Sequence, residues 1–392
     1  MKAVICGAGI AGLTLGWWLE RAGWETLIVE RAPGPRSAGY MIDFFGSGYD
    51  AMELMGLLPA LESIHQPIPE VAYVNEAGAT VASLSYEMLS RFQRGRVRNV
   101  MRGDLERVLR AALPPTVELR YGRSVEAIEL RADRVEVQLT DGVRERADLL
   151  VGADGIHSRV RELAFGPEAR FARYLGAQTA AYIFEDDGLR QALEGRFKMI
   201  SSPGREAGLY PIAGGKIAAF FAHRAPDPAL PTEPRAELER IYGGLGWLIP
   251  QALRHCGERI YYDQIAQIEL PRWSQGRVAL VGDACQAVSL LAGQGASMAM
   301  GGAWALAREL AAAPGDVAAA LERYEARVRP AILRKQAVGR RTANWIVPGR
   351  QWHIGLRTAI LRLAKAPGLA WLLRPVLAAG SESVIERAAL PA

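Results

Sequence analysis

The chain has 392 residues, half of them apolar, and a formal net charge of +5. That length buries a large core and suits two closely joined domains. The basic excess is spread thinly with no long basic block, which reads as solvated surface and argues against a nucleic-acid partner. Three cysteines, Cys6, Cys256 and Cys285, form an odd and widely spaced set. They argue against a disulfide framework and point to a reducing, cytoplasmic compartment. No Cys/His cluster suggests a metal. Two uncharged stretches, 3–19 and 284–307, have the look of a leader and a membrane span by length. Their closely spaced glycines, with Gln286, Ser289, Gln294 and Ser297 in the second, fit instead a backbone that approaches a ligand.

In chain order, 3–7 (AVICG) reads as a buried strand, 10–22 as a helix ended by Gly23, and 26–30 (TLIVE) as a second strand. Strand–helix–strand within about 30 residues is a βαβ unit and implies a parallel sheet. A helix is expected at 47–58 and a hairpin over 70–86, turning at Asn75–Gly78. An amphipathic helix follows at 103–113, then strands at 117–121, 125–130, 134–140 and 148–153. From about 174 to 269 the texture becomes β-like (174–185, 206–212, 215–223, 259–269), with a helix at 233–243 and proline-rich loops. A buried strand returns at 277–281, and a helical tract runs to about 340. The chain thus leaves its first domain and re-enters it.

Three segments carry chemistry. The first is Gly7-Ala8-Gly9-Ile10-Ala11-Gly12, followed by Leu13, placed between a strand and a helix. Its glycines serve a tight turn, close approach to a pyrophosphate, and helix–strand packing. The pyrophosphate then faces a positive helix N-terminus. Glu30, at the end of the second strand, is placed to accept hydrogen bonds from ribose hydroxyls. The ligand at this point is FAD or NAD; an acidic Glu30 disfavours NADP here. The second segment runs from Asp154 to Arg161 (DGIHSRVR), again after a strand. The third is Gly276 to Ala284 (GRVALVGDA), continuing to Gly293-Gln294-Gly295-Ala296. There Asp283 can meet a ribityl hydroxyl, and the following helix N-terminus can favour negative charge on a flavin pyrimidine ring.

The three segments in this order resemble the FAD-dependent aromatic hydroxylases typified by p-hydroxybenzoate hydroxylase, over most of 1–345. The detail Glu30-Arg31, Arg36, Gly39 to Asp43 (GYMID), Gly46-Ser47-Gly48 and Met101-Arg102 is most similar to the tetracycline-inactivating flavin monooxygenases. The resemblance implies FAD contacts from Glu30, Arg31, Asp43, Arg102 and Asp283, and from the Val125 backbone on the adenine side. It also implies that Arg36 lies near the flavin and helps NADPH or NADH dock, and that Asp154 supports the dinucleotide region. The sequence departs from the family pattern at Gln286 (usually His), Leu290 (usually Pro) and Gly301-Gly302 (often an acidic pair). The change at Leu290 puts the pocket shape by the flavin in question.

Each assignment has a plainer rival. Asp283 could cap a helix, Arg102 and Arg36 could be surface arginines, and Asp154 could be a turn residue. Cys6 and Cys285 read as packing, and His157 as a turn or surface residue. Tyr210 and Phe220, within Tyr210-Pro211 and Ile217–Phe221, line either a substrate pocket or the second domain's own core; Leu290 belongs with them as a substrate candidate. The tail 352–374 places Ile354, Leu356, Ala359, Ile360 and Leu363 on one helix face and Arg357, Arg362 and Lys365 elsewhere. That pattern suits packing against the body in preference to a membrane surface.

The expected fold is α/β: a Rossmann-like FAD-binding domain (1–70, 100–172, 270–345), an inserted, mostly antiparallel β-sheet substrate domain (71–99, 173–269) and a C-terminal helical segment (346–392). The function implied is a single-component FAD-dependent monooxygenase. NAD(P)H reduces FAD, and oxygen forms a flavin C4a-hydroperoxide that hydroxylates a hydrophobic aromatic or polycyclic small molecule. Alternatives are a flavin-dependent halogenase, a double-bond reductase, or a non-catalytic dinucleotide-fold binding protein. Gly246-Trp247-Leu248-Ile249-Pro250 is faintly similar to a halogenase tryptophan motif.

Overall fold

The computed structural model describes residues 1–35, 40–288, 294–366, 369–373 and 383–385, with the backbone only at 342–346 and 370. Arg36, Leu290 and Gly293 therefore lie outside the described residues.

The apolar run Lys2–Cys6 forms a central strand, parallel to Glu25–Glu30 on one side and to Leu149–Gly152 on the other. The six-stranded sheet has the order Ser274–Gln275, Val278–Leu280, Leu149–Gly152, Lys2–Cys6, Glu25–Glu30, Glu118–Tyr121. All its pairs are parallel except the short antiparallel edge. Such strands are buried on both faces, which is why their sequences are continuously apolar. The chain steps left and right of the first strand, so a crevice opens at its carboxyl end.

A seven-stranded sheet carries the order Tyr261–Ile268, Ala172–Glu185, Lys216–Arg224, Arg205–Pro211, Phe197–Ser202, Glu70–Val74, Thr80–Ser85. It is antiparallel except where Phe197–Ser202 runs parallel to Glu70–Val74. Glu70–Val74 and Thr80–Ser85 are the expected hairpin. Phe197–Ser202 and the helices Asp187–Leu193 and Ile249–Arg254 are not legible as periodic runs, being short and mixed in polarity. The expected helix at 47–58 is two helices, Ser47–Leu54 and Leu58–Ser63, broken around Gly56 at φ 72°.

Between the two large sheets lies a two-stranded ribbon of Met41–Phe45 and Val97–Met101. An apolar cluster joins ribbon to sheet: Met41 and Met101 meet Tyr210, Ala218, Ile183 and Phe220. The helices Ile10–Arg21, Gly295–Ala311 and Val317–Ile346 cover the six-stranded sheet. Among the described residues no helix is long and apolar enough to cross a membrane.

Candidate active site

The turn after the first strand is built by absences. At Gly7, φ is 109° and a Cβ would sit 2.5 Å from the Ala153 carbonyl oxygen; at Gly12 it would sit 1.9 Å from the Gly7 oxygen. Neither position tolerates a side chain, so helix and strand pack backbone to backbone. Gly9 differs: its Cβ would meet only ordinary contacts, with Glu106 Oε1 at 3.8 Å and Arg102 Nη2 at 3.9 Å. The helix Ile10–Arg21 begins there with no side-chain cap and no acidic residue in its first turn. Its free N–H groups are left for an anion.

Those groups face a cleft of about 560 Å³, whose wall includes Gly7, Gly9, Leu13, Glu30, Arg31, Arg102, Asp154 and Asp283. It continues into an inner chamber of about 130 Å³ that adds Ile10, Ala11, Gly295 and Ala296. The three glycine–carboxylate segments thus surround one continuous cavity. Two contacts bind them together. Gly282, at φ 63°, would place a Cβ 2.7 Å from the Ala11 methyl. Arg161 is wholly buried and donates to the Ala284 carbonyl (3.0 Å), the Ile156 carbonyl (2.7 Å) and Glu168 (2.7 Å).

The carboxylates have different duties. Glu30 accepts from the Ala8 N–H (3.0 Å) and the Ala32 N–H (2.8 Å), which fixes it at the cleft wall. Asp154 accepts from Ser158 Oγ (2.5 Å) and the N–H groups of Arg159 and Val160 (2.7 and 3.1 Å). It therefore holds the turn that opens the helix Arg159–Phe165, while its residue still lines the cleft. Asp283 has no protein donor on its carboxylate among the described residues. It is open only to the cavity; the dense protein around it raises its pKa by desolvation, and Arg102 opposes that rise. For Arg102, burial works to lower the pKa, but Glu106 (2.9 Å), Tyr40 and Asp283 outweigh it and the net shift is upward.

These features fit FAD. Glu30 suits a ribose, the N-terminus of Ile10–Arg21 suits the pyrophosphate, and Asp283, without a protein donor among the described residues, suits a ribityl hydroxyl. The helix Gly295–Ala311 starts without a side-chain cap or an acidic first turn, beside Asp283. Asp43 stands apart: it is absent from both walls and accepts from Tyr86 Oη (2.9 Å) and Asn99 Nδ2 (2.6 Å) within the protein. Val125 is buried behind Ser124, which lines the cleft. Gln294 accepts from Lys335 Nζ at 2.5 Å, and Gly12 serves packing. Tyr210 is 1% exposed and its Oη accepts from the Met41 N–H at 2.8 Å, so it braces ribbon against sheet; Phe220 is half-buried beside it. Trp247, of the halogenase-like segment, lines neither cavity and packs over Gly78.

Sequence reasoning missed Tyr40, Tyr261, Asp263 and His157. The rings of Tyr40 and Tyr261 lie 5.5 Å apart, both in the walls of cleft and chamber. His157 bridges Asp263 of the seven-stranded sheet (3.3 Å) and Glu168 (3.0 Å). The run Tyr261-Tyr262-Asp263 was the available signal, but nothing in one sequence says which face of a strand looks at a cofactor. The departures at Gln286 and Gly302 have a shared cause: a Cβ on Gly302 would lie 2.4 Å from Gln286 Nε2. Gln286 is buried and donates to Tyr324 Oη (2.8 Å), which donates to the Leu280 carbonyl (2.9 Å).

The model of the FAD binding domain family matches residues 1–338. A flavin-dependent monooxygenase from an unknown prokaryotic organism is 30% identical over 86% of this chain and 88% of its own. The tetracycline destructase Tet(55) superposes with a TM-score of 0.82 at 26% identity over 98% of both chains. Klebsiella pneumoniae HpxO, complexed with FAD and uric acid, does so at 0.79 and 25% over 97% of both. With Gly9, Glu30 and Asp283 around one cavity of the right character, the chain belongs to the FAD-binding-domain family, and it is an FAD-dependent monooxygenase of the aromatic-hydroxylase type.

Proposed function

We propose that the protein inserts one atom of molecular oxygen into an apolar aromatic or polycyclic small molecule, using NADPH or NADH as reductant. The balance is NAD(P)H, a proton, oxygen and R–H giving NAD(P)⁺, R–OH and water. The observation that carries this reading is Asp283, without a protein donor among the described residues, beside the uncapped start of Gly295–Ala311, at the junction of a long cleft and a smaller chamber.

Bound FAD would supply hydride acceptance and electron delivery to oxygen. The chain's own residues do the rest. Glu30 and the start of Ile10–Arg21 bind the dinucleotide. Arg102 places positive charge at the cleft, and the N-terminus of Gly295–Ala311 favours negative charge next to it, by about 0.3–1 kcal/mol at exposed sites and more when partly buried. Ile42, Ala266, Ala287 and Val288 line the chamber with Tyr40 and Tyr261 and exclude water from reactive groups. The apolar and aromatic residues of that chamber support an apolar substrate class. No second glycine-rich βαβ unit occurs in the sequence, which supports transient docking of the nicotinamide at the same cleft.

The test is direct. The purified protein should be yellow, bleach with NADPH or NADH without air, and recolour with air. A panel of phenolic and polycyclic compounds should include some that raise oxygen-dependent NAD(P)H oxidation and gain one labelled oxygen atom from isotopic O₂. Product oxygen derived from water, or turnover that requires halide, would refute the proposal.

A further inference from the structure

The C-terminal helix Gln351–Leu363 has two apolar faces, and the protein uses one. On the inner face Arg357 is 3% exposed; it pairs with the buried Glu206 (3.1 Å), donates to Ser201 Oγ (2.6 Å) and stacks over Tyr73. Leu361 and Ala364 pack there against Phe45, Ala82, Leu89 and Val97. The expectation that the arginines lie away from the packed face fails at Arg357, whose charge is matched inside by Glu206. The outer face carries Trp352 (59% exposed), Leu356 (51%) and Leu363 (54%), with exposed Gly355 and Ala359 between them. Positions 352, 356, 359 and 363 form one stripe along a helix. Trp371, beyond the helix, is 61% exposed.

We propose that this stripe docks on an anionic lipid surface, with the helix lying in the plane of the interface. The charge pattern selects that partner. From residue 326 to residue 381 the sequence has no Asp or Glu. Arg341, Arg350, Arg362 and Lys365 are exposed in that tract, and Arg362 flanks the stripe. The neighbouring carboxylates are engaged: Glu206 by Arg357, and Glu87 by Arg91 at 2.7 Å. A two-fold contact with a second copy would bring two such basic, acid-free surfaces together, which like charges oppose. Basic residues beside an apolar stripe suit anionic headgroups, and exposed tryptophans suit the headgroup depth. The helix has 13 residues, about 20 Å, too short for a hydrocarbon core of about 30 Å, so it lies on the surface and does not span it.

The experiment uses the FAD-loaded full chain in co-sedimentation with vesicles of phosphatidylcholine alone or with about a third phosphatidylglycerol. The expected result is at least about ten-fold tighter binding to the anionic vesicles, weakened by salt. The combined substitutions Trp352→Ser, Leu356→Ser and Leu363→Ser should reduce that binding at least about ten-fold, with flavin absorbance and the melting temperature unchanged, because these side chains face solvent. Arg350→Glu should weaken anionic binding alone. Quenching by brominated lipid should fall when Trp352→Phe is introduced, which gives a readout independent of the triple variant. Absence of vesicle binding, binding indifferent to the substitutions, or a wild-type dimer in sedimentation velocity that the triple substitution abolishes would each overturn the proposal.

Discussion

His157 gives the protein a pH dependence that can be worked out in advance. Its ring lies between Asp263, on the strand Tyr261–Ile268, and Glu168, which it shares with the buried Arg161. Hydrogen bonds to Asp263 and Glu168 outweigh partial desolvation and raise its pKa to about 9. The folded value lies above the unfolded one, so the stabilisation is fully present below pH ~6.5 and is lost as pH rises through about 9. A shift of that span corresponds to about 3 kcal/mol, each pKa unit being about 1.36 kcal/mol. The side chain is 43% exposed, so solvent screening reduces this to about 1 kcal/mol. Urea unfolding of the holoenzyme and of His157→Gln at about pH 6 and about pH 9.5 measures the effect. The substitution should cost about 1 kcal/mol at the lower pH and little at the higher. Parallel stability profiles for the two proteins would refute the assignment of that charge to a bridge between the two sheets.

Three further outcomes follow from the cavity and its supports. Asp283→Ala should weaken FAD binding by at least about ten-fold in a flavin fluorescence titration, since a hydrogen bond to a charged group contributes about 1.5–3 kcal/mol. The fold should survive, because no described protein donor uses that carboxylate. Gly9→Val should yield a folded but colourless protein, as its side chain enters the space beside Arg102 and Glu106 where a pyrophosphate belongs; a yellow protein would contradict that placement. Arg357→Met should destabilise by about 3–5 kcal/mol in chemical unfolding, because it strands the buried Glu206; adding Glu206→Gln should recover part of the loss.

The sequence discloses what depends on short range. Gly7, Gly9 and Gly12 with Glu30 define their own geometry through one βαβ unit, so both the motif and its cleft are readable before any contact is known. Apolar runs such as 148–153 and 277–281 likewise declare buried parallel strands. What stays hidden depends on partners far away in the chain. Asp43 carries the family's pattern, yet Tyr86 and Asn99 hold it within the protein. His157 reads as a turn residue until the sheet brings Asp263 to it. Arg357 breaks the helix's hydrophobic period at the very position that packs inward, because its partner Glu206 lies 151 residues away. Periodicity assigns faces by polarity, and a buried ion pair inverts that assignment.

Gln286 and Gly302 illustrate how two departures from a family pattern can be one packing decision. Read singly, a lost histidine and a lost acidic residue suggest a decayed site. In the fold, Gln286 extends through the space that a Cβ on residue 302 would fill, and reaches Tyr324, which anchors the strand Val278–Leu280 just before Asp283. Gly302→Ala should therefore cost about 1–3 kcal/mol from overpacking, well above the helix-propensity gain of about 1 kcal/mol that the same change brings elsewhere. In a Gln286→Ala background the added methyl meets empty space and the cost should vanish or reverse. A double-mutant cycle by chemical unfolding reads the coupling, expected at about 1–3 kcal/mol for residues in contact. Additive costs would mean that the two positions vary independently, and that the glycine's missing side chain answers to something other than the amide lodged against it.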